Sequence, residues 1–184
     1  MSNYKRARLE GGTYFFTVVT LNRTAILTTP LARRCLSKAF ALTKRRYPFK
    51  LEAICLLPEH LHCVWALPEN DSDFSTRWSF LKRTFTRLYL GAGGTQGTKN
   101  ASRKARHEAG IWQRRFWEHL IRDDKDYYNH LDYLHYNPVK HGLVKSPAEW
   151  KWSTFAKYVK AGLYPEDWGE TLPDNVNGLK TVVE

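Results

Sequence analysis

Two histidines one residue apart, His60-Leu61-His62, have types and spacing that could do chemistry. On an extended strand alternate side chains share a face, so both imidazoles point the same way with Cα atoms about 6 to 7 Å apart. Such a pair converges on one cation, although a hydrogen-bonded or surface pair is the commoner use of this pattern. A second set lies in Asp132-Tyr133-Leu134-His135-Tyr136-Asn137-Pro138. On a helix Tyr133 and Asn137 stand i and i+4 on one face, whereas Tyr136 is turned about 100° from Asn137. Asn137 offers a further oxygen ligand and Tyr133 a nucleophilic hydroxyl. The plain alternative is a boundary tyrosine followed by a helix-ending asparagine. His130, three residues before Tyr133, is placed to orient the phenol or touch a phosphate, or else to sit at the surface. Glu59 and Glu118 are candidates to support the ligands from behind, with Glu59 alternatively closing a turn. Cys63 points away from both histidines, and Cys35, Cys55 and Cys63 lack the C-x-x-C spacing of a zinc knuckle or the even count of a disulfide framework.

The elements that must position these residues follow from periodicity. Thr13 to Thr20, rich in β-branched and aromatic residues, reads as a buried strand. Thr28-Thr29-Pro30 opens a helix over roughly 30 to 47, with Leu31, Cys35, Ala39 and Leu42 at helical spacing. Leu51 to Leu57 and His60 to Leu67 form a hairpin broken at Pro58-Glu59. Asp73 or Ser75 caps a second helix whose apolar stripe is Trp78, Leu81, Phe85 and Leu88. Residues 91–109, glycine-rich and basic, read as a flexible connector. Ile111 to Leu120 reads as a fourth strand, and Asp123-Asp124 caps a third helix expected to stop near Pro138. Its stripe Tyr127, Leu131 and Leu134 would face the sheet and leave Tyr133 presented on another face. The order β-α-β-β-α-β-α predicts an α+β fold: a ferredoxin-like split βαβ, an antiparallel sheet with helices on one face, plus an appended C-terminal helix. Residues 1–137 would form the core and 138–184 a tail packed on it.

Charge narrows the partners. Of 184 residues, 29 are Lys or Arg and 18 Asp or Glu, a formal net charge of +11. Residues 163–184 carry five acids and one Lys, a net of −4, which leaves +15 on the rest. Such a field attracts polyanions through counterion release, and seven Trp, ten Tyr and nine Phe could stack unpaired bases. Lys5, Arg6, Arg8, Lys82, Arg83, Arg87, Arg114 and Arg115 are candidate DNA-backbone contacts. With 42% hydrophobic residues the chain can bury a core, and with no long apolar run it is expected to be soluble, cytoplasmic and free of membranes.

The chain resembles the REP-associated tyrosine transposases, single-tyrosine members of the HUH nuclease superfamily with an IS200-like transposase domain. The resemblance is carried by Gly11-Gly12-Thr13-Tyr14-Phe15-Phe16-Thr17-Val18, Leu57-Pro58-Glu59-His60-Leu61-His62-Cys63-Val64-Trp65, Arg115-Phe116-Trp117-Glu118-His119, Asp132-Tyr133 and Asn137 to Val144. It implies that His60 and His62 bind a divalent cation, Mg²⁺ or Mn²⁺, and that Asn137 completes the protein ligands. It implies that Tyr133 attacks a DNA phosphate, leaving a 5′-phosphotyrosine and a free 3′-OH. The expected function is therefore a metal-dependent single-stranded DNA endonuclease and strand-transferase. Its substrate would be single-stranded DNA bearing a REP-like hairpin marked by a guide tetranucleotide, in the bacterial nucleoid, with a monomer favoured over a dimer. Two readings compete. A non-catalytic nucleic-acid binding module would need no imidazoles on the strand, and a zinc hydrolase would need a third His, Cys or carboxylate at fixed spacing.

Overall fold

The computed structural model describes residues 8–171 and 173. Strands β1 (Thr13–Val19), β2 (Lys50–Leu56), β3 (His60–Ala66) and β4 (Trp117–Leu120) form one antiparallel sheet in the order β2-β3-β1-β4, the ferredoxin-like order. Between them run α1 (Pro30–Arg46), α2 (Phe74–Gly91) and a short α3 (Ala101–Ala105), and after them come α4 (Asp124–Lys140) and α5 (Phe155–Lys160). The helices start where the sequence places caps: Thr29 accepts from Ala32 N, Asp73 from Thr76 N and Asp123 from Asp126 N.

Strand alternation divides the core in two. Phe16, Cys63 and Trp65 point toward α1 and α2, where Trp65 stacks between Phe49 at 4.1 Å and Trp78 at 4.3 Å. Phe15, Cys55 and Val64 point the other way, against Leu131, Tyr133 and Leu134 of α4. The two crossover helices thus share one face, and the appended helix takes the opposite one. The outer edge of β2 is covered by the tail, where Leu56 N donates to Trp152 O and Thr154 N to Ile54 O, both at 2.9 Å.

Three expectations change. The fourth strand is four residues long: Thr20 bridges Trp112, but Gln113, Arg114 and Arg115 are exposed, with Arg114 drawn off to Glu108 and Ser102. The last long helix does not stop at Pro138, because proline there removes only the bond to Leu134 in the final turn. It ends in a Schellman motif, with Gly142 at φ +65, Leu143 N donating to Pro138 O and Gly142 N to Val139 O. Residues 91–109, expected to be flexible, contain α3, capped by Asn100, and the buried Arg103.

One buried histidine fastens the tail to α4. His135, fully buried, lies with Nε2 3.0 Å from Thr154 Oγ1 and Nδ1 3.3 Å from the Tyr164 hydroxyl, which donates to Asp132 at 2.7 Å. Burial holds the pKa of His135 down to about 3. In the unfolded chain this imidazole titrates near 6.5, so the unfolded state gains the proton first. Stability from this residue is therefore full above pH about 6.5 and lost as pH falls toward 3, about 2 kcal/mol being gone at pH 5. Urea unfolding at pH 5 and pH 8 should show that fall, and His135→Gln should flatten it; an equal slope in the variant removes this account.

Candidate active site

The hairpin and α4 meet in a buried polar pocket. His60 and His62 are 1% and 0% exposed and both face α4, opposite Val19 and Thr17 in the β1 register. Their Nε2 atoms lie 3.1 Å apart. Each ring is fixed from behind: His60 Nδ1 is 3.0 Å from Glu59 Oε1, and His62 Nδ1 is 2.9 Å from Thr17 Oγ1. Phe15 stacks on the His62 ring with centroids 5.4 Å apart. Burial, reinforced by the nearby charges of His60, His141 and Lys140, holds the His62 pKa well below its ordinary value, against a hydrogen bond with Asn137. The hydrogen bond with His60 keeps the Glu59 carboxyl below the usual range. The pocket therefore holds a neutral His62 ring and a carboxylate that fixes the tautomer of His60.

α4 supplies the other side. Asn137 is fully buried, and Tyr133, four residues earlier, packs edge-on against His62 with centroids 5.3 Å apart. The Tyr133 ring is 1% exposed rather than presented, because Phe15 and His62 cover one side and Lys140 the other. Lys140 Nζ donates to the Tyr133 hydroxyl at 3.5 Å and lies 4.9 Å from the ring centroid. Seven residues along a helix return to nearly the same face, a signal that could have found Lys140 from the sequence. His141, four residues after Asn137, brings a third imidazole, its centroid 5.2 Å from that of His60.

The remaining candidates distribute differently. Glu118 pairs with Phe16 across β1 and β4, so it points to the α1–α2 face and cannot support the two histidines. His130 is 2% exposed rather than at the surface. Its Nδ1 donates to the Asp126 carbonyl at 2.8 Å, and its ring stacks on His119 at 4.4 Å. Arg8, Arg83, Arg87, Arg114 and Arg115 are exposed and Lys82 is half-buried, while Lys5 and Arg6 lie outside the described residues.

His119, Asp126 and His130 form a second cluster whose ligand atoms all lie within 4.8 Å of one another. This is the set of three His, Cys, Asp or Glu residues with metal-ligand spacing found among the described residues. The Asp126 carboxylate accepts from His119 Nε2 at 2.8 Å and from Arg122 N at 3.0 Å. Burial pushes the Asp126 carboxyl up, but these hydrogen bonds outweigh it and hold the pKa below its ordinary value. The guanidinium of Arg122, 3.3 Å from the same oxygen, supplies the positive charge that a cation would otherwise bring. The cluster thus ties β4 to the first turn of α4.

Comparison with known proteins decides the family. No family model matches the chain. A REP-associated tyrosine transposase of Escherichia coli strain K12 is 46% identical over 183 residues, covering 99% of each chain. A Haemophilus influenzae candidate for the same family is 52% identical over 169 residues, covering 92% of this chain and 94% of that one. The chain belongs to the REP-associated tyrosine transposases. A solved structure described as that transposase bound to a REP hairpin is 44% identical, covers 95% of this chain and 94% of its own, and superposes with a TM-score of 0.78. As a transposase the protein is an enzyme acting on DNA, which sets aside the non-catalytic binding module. Among the described residues no helix is long and apolar enough to cross a membrane.

In the transposase, the Asp126 cluster is the anchor of the helix that carries Tyr133. Asp126→Ala leaves the Arg122 amide and the His119 imidazole without their acceptor, while the main-chain carbonyl that receives His130 remains, and should cost about 2 kcal/mol of stability in urea unfolding. A loss under 1 kcal/mol would mean that the cluster does not hold α4.

Proposed function

We propose that this transposase cuts and rejoins single-stranded DNA beside a REP-type hairpin, with Tyr133 as its nucleophile. The observation that carries this reading is the packing of the Tyr133 ring against His62, where the two Nε2 atoms meet at 3.1 Å. The hairpin bound by the 44% identical relative supports the same class of substrate.

The donor set fits a hard divalent cation. Octahedral ligands at about 2.1 Å from Mg²⁺ stand about 3.0 Å from their neighbours, close to the spacing of the two imidazole nitrogens. Two imidazoles and an amide oxygen, with no thiolate, would suit an ion that also binds phosphate oxygens better than they suit a closed zinc site. His60, His62 and Asn137 would hold a Mg²⁺ or Mn²⁺ ion, whose contribution there is polarisation of a phosphoryl oxygen.

Tyr133 then forms the new ester. Its hydroxyl oxygen bonds to phosphorus, the bond to the 3′ oxygen breaks, and that oxygen departs with the electron pair and takes up a proton as a 3′-OH. The phenol loses its own proton in the same exchange, beside the Lys140 ammonium, which offsets negative charge developing on the tyrosine oxygen. The product is a 5′-phosphotyrosine diester. One phosphodiester replaces another, so the step is close to energy-neutral and runs backwards when a new 3′-OH enters. The tyrosine hydroxyl ends beneath the exposed Lys140 side chain, so a phosphate that draws this ammonium aside also uncovers the hydroxyl.

Mixing the protein with a labelled hairpin oligonucleotide and Mg²⁺ should give a covalent adduct on a denaturing gel. Tyr133→Phe should abolish that adduct while hairpin binding stays within a few-fold; an adduct of undiminished yield would assign the nucleophile elsewhere. Glu59→Gln removes the carboxylate that orients His60, so about 10- to 100-fold more Mn²⁺ should be needed for half-maximal adduct formation. An unchanged metal requirement would sever Glu59 from the ligand set.

A further inference from the structure

The segment between α2 and β4 is built into a cleft. Gly97 N donates to Gly110 O at 2.8 Å, and Gly110 N donates to Gln96 Oε1 at 3.1 Å. A Cβ on Gly110 would lie 2.3 Å from Gly97 O, so the two stretches of chain flanking α3 approach this closely only because a glycine is there. Arg103 of α3 is buried, 3.4 Å from Glu108, and Arg114 is held by Glu108 at 2.9 Å and by Ser102 at 2.9 Å. Lys82 of α2 donates to Gln113 O at 2.9 Å. The result is an open cleft of about 560 Å³ between α2 and the connector. Its walls carry five cations, Lys82, Arg83, Arg87, Arg103 and Arg114, against one acid, Glu108. That acid fixes two guanidiniums in place and leaves a net of +4.

We propose that this cleft binds the phosphodiester backbone of the DNA substrate at a point remote from the phosphate being cut, an inference that rests on the reading of the protein as a DNA strand-transferase. α2 covers one face of the sheet and His60 and His62 open on the other, so a phosphate in the cleft is not the phosphate beside Tyr133. The wall chemistry selects backbone rather than base. Guanidinium forks and an ammonium match phosphate oxygens; Trp112 is 6% exposed and presents no open face for a base to stack on, which leaves the exposed His107 ring as the stacking surface against five cations. Contacts of this kind are indifferent to sequence and set register and affinity. The tail covers the β2 edge of the sheet, whereas at the β4 edge Arg115 is exposed and offers a further phosphate contact between the two places.

The test removes two exposed charges of the cleft together, Arg83→Gln with Arg87→Gln, and reads binding and chemistry separately. Binding is measured in the Tyr133→Phe background over a range of salt, with the hairpin stem alone, the unpaired flanking strand alone and the joined oligonucleotide. The joined oligonucleotide should bind several-fold more weakly, and the plot of log affinity against log salt should lose about 0.7 to 0.9 in slope for each phosphate contact removed. The arm that shows the same loss tells whether stem or strand occupies the cleft. A control pair with equal charge loss in the tail, Lys145→Gln with Lys160→Gln, should change the slope far less. With Tyr133 restored, the DNA concentration needed for half-maximal adduct formation should rise by a similar factor. Unchanged affinity and slope on all three DNAs, or an equal effect of the control pair, would overturn the proposal. Because the binding arms need no cleavage, a wrong assignment of Tyr133 would leave them readable.

Discussion

Alternation along one strand is the constraint from which the site follows. β3 carries His60, His62 and Val64 on the face toward α4, and Leu61, Cys63 and Trp65 on the face toward α1 and α2. A register slip of one residue would drive the imidazoles into an aromatic core and expose Trp65 to the polar pocket. The stack of Phe49, Trp65 and Trp78 therefore fixes the histidines as firmly as any contact they make themselves. Burial does the rest: charging two adjacent imidazoles in that pocket would cost far more than in water, so His62 is held neutral and ready to donate a lone pair.

α4 is the second half of the same device. Its first turn is fastened to β4 through Asp126, His119 and Arg122, and its middle is fastened to the tail through Asp132, His135, Thr154 and Tyr164. Tyr133, Asn137 and Lys140 occupy one stripe of that helix at i, i+4 and i+7. The helix has to run past Pro138 for Lys140 to reach the tyrosine, and the Schellman end at Gly142 satisfies the carbonyls that the extra turn would otherwise leave open. Tail and helix are thus coupled. The segment after residue 140 closes the edge of β2 and braces the helix that bears Tyr133.

Periodicity made much of this legible. Period 2 put His60 and His62 on one face and Cys63 on the other, and period 3.6 put Tyr133 with Asn137 rather than with Tyr136. Element order was enough for the sheet topology. What periodicity lacks is knowledge of partners. The burial of Tyr133 depends on Phe15 from another strand and on a lysine a turn beyond a proline. The face of Glu118 depends on the β1–β4 register, which no property of residues 111–120 specifies. Glycine and basic residues at 91–109 have the composition of a linker, yet Gly110 is there for close approach to Gly97, a purpose visible only when both are placed. Arg103, a residue type that is almost never buried without a partner, is buried because Glu108 and the Ala109 carbonyl receive it.

The proposed strand exchange would set the two faces of the sheet different electrostatic tasks. An exchange of one phosphodiester for another has almost no free energy of its own, so its direction is decided by which DNA ends stay bound. Groups next to the reacting phosphorus are poorly suited to that task, because binding that is equal in ground and transition states does not speed the step. In the proposed exchange, the imidazole pocket on one face and the cations beside α2 on the other would separate the two demands. The first would be tuned to the developing charge, while the second would hold the strand through phosphate contacts that persist before, during and after the exchange. The short β4, with its exposed Gln113 to Arg115 lead-in, leaves the path between the faces free of a long strand edge.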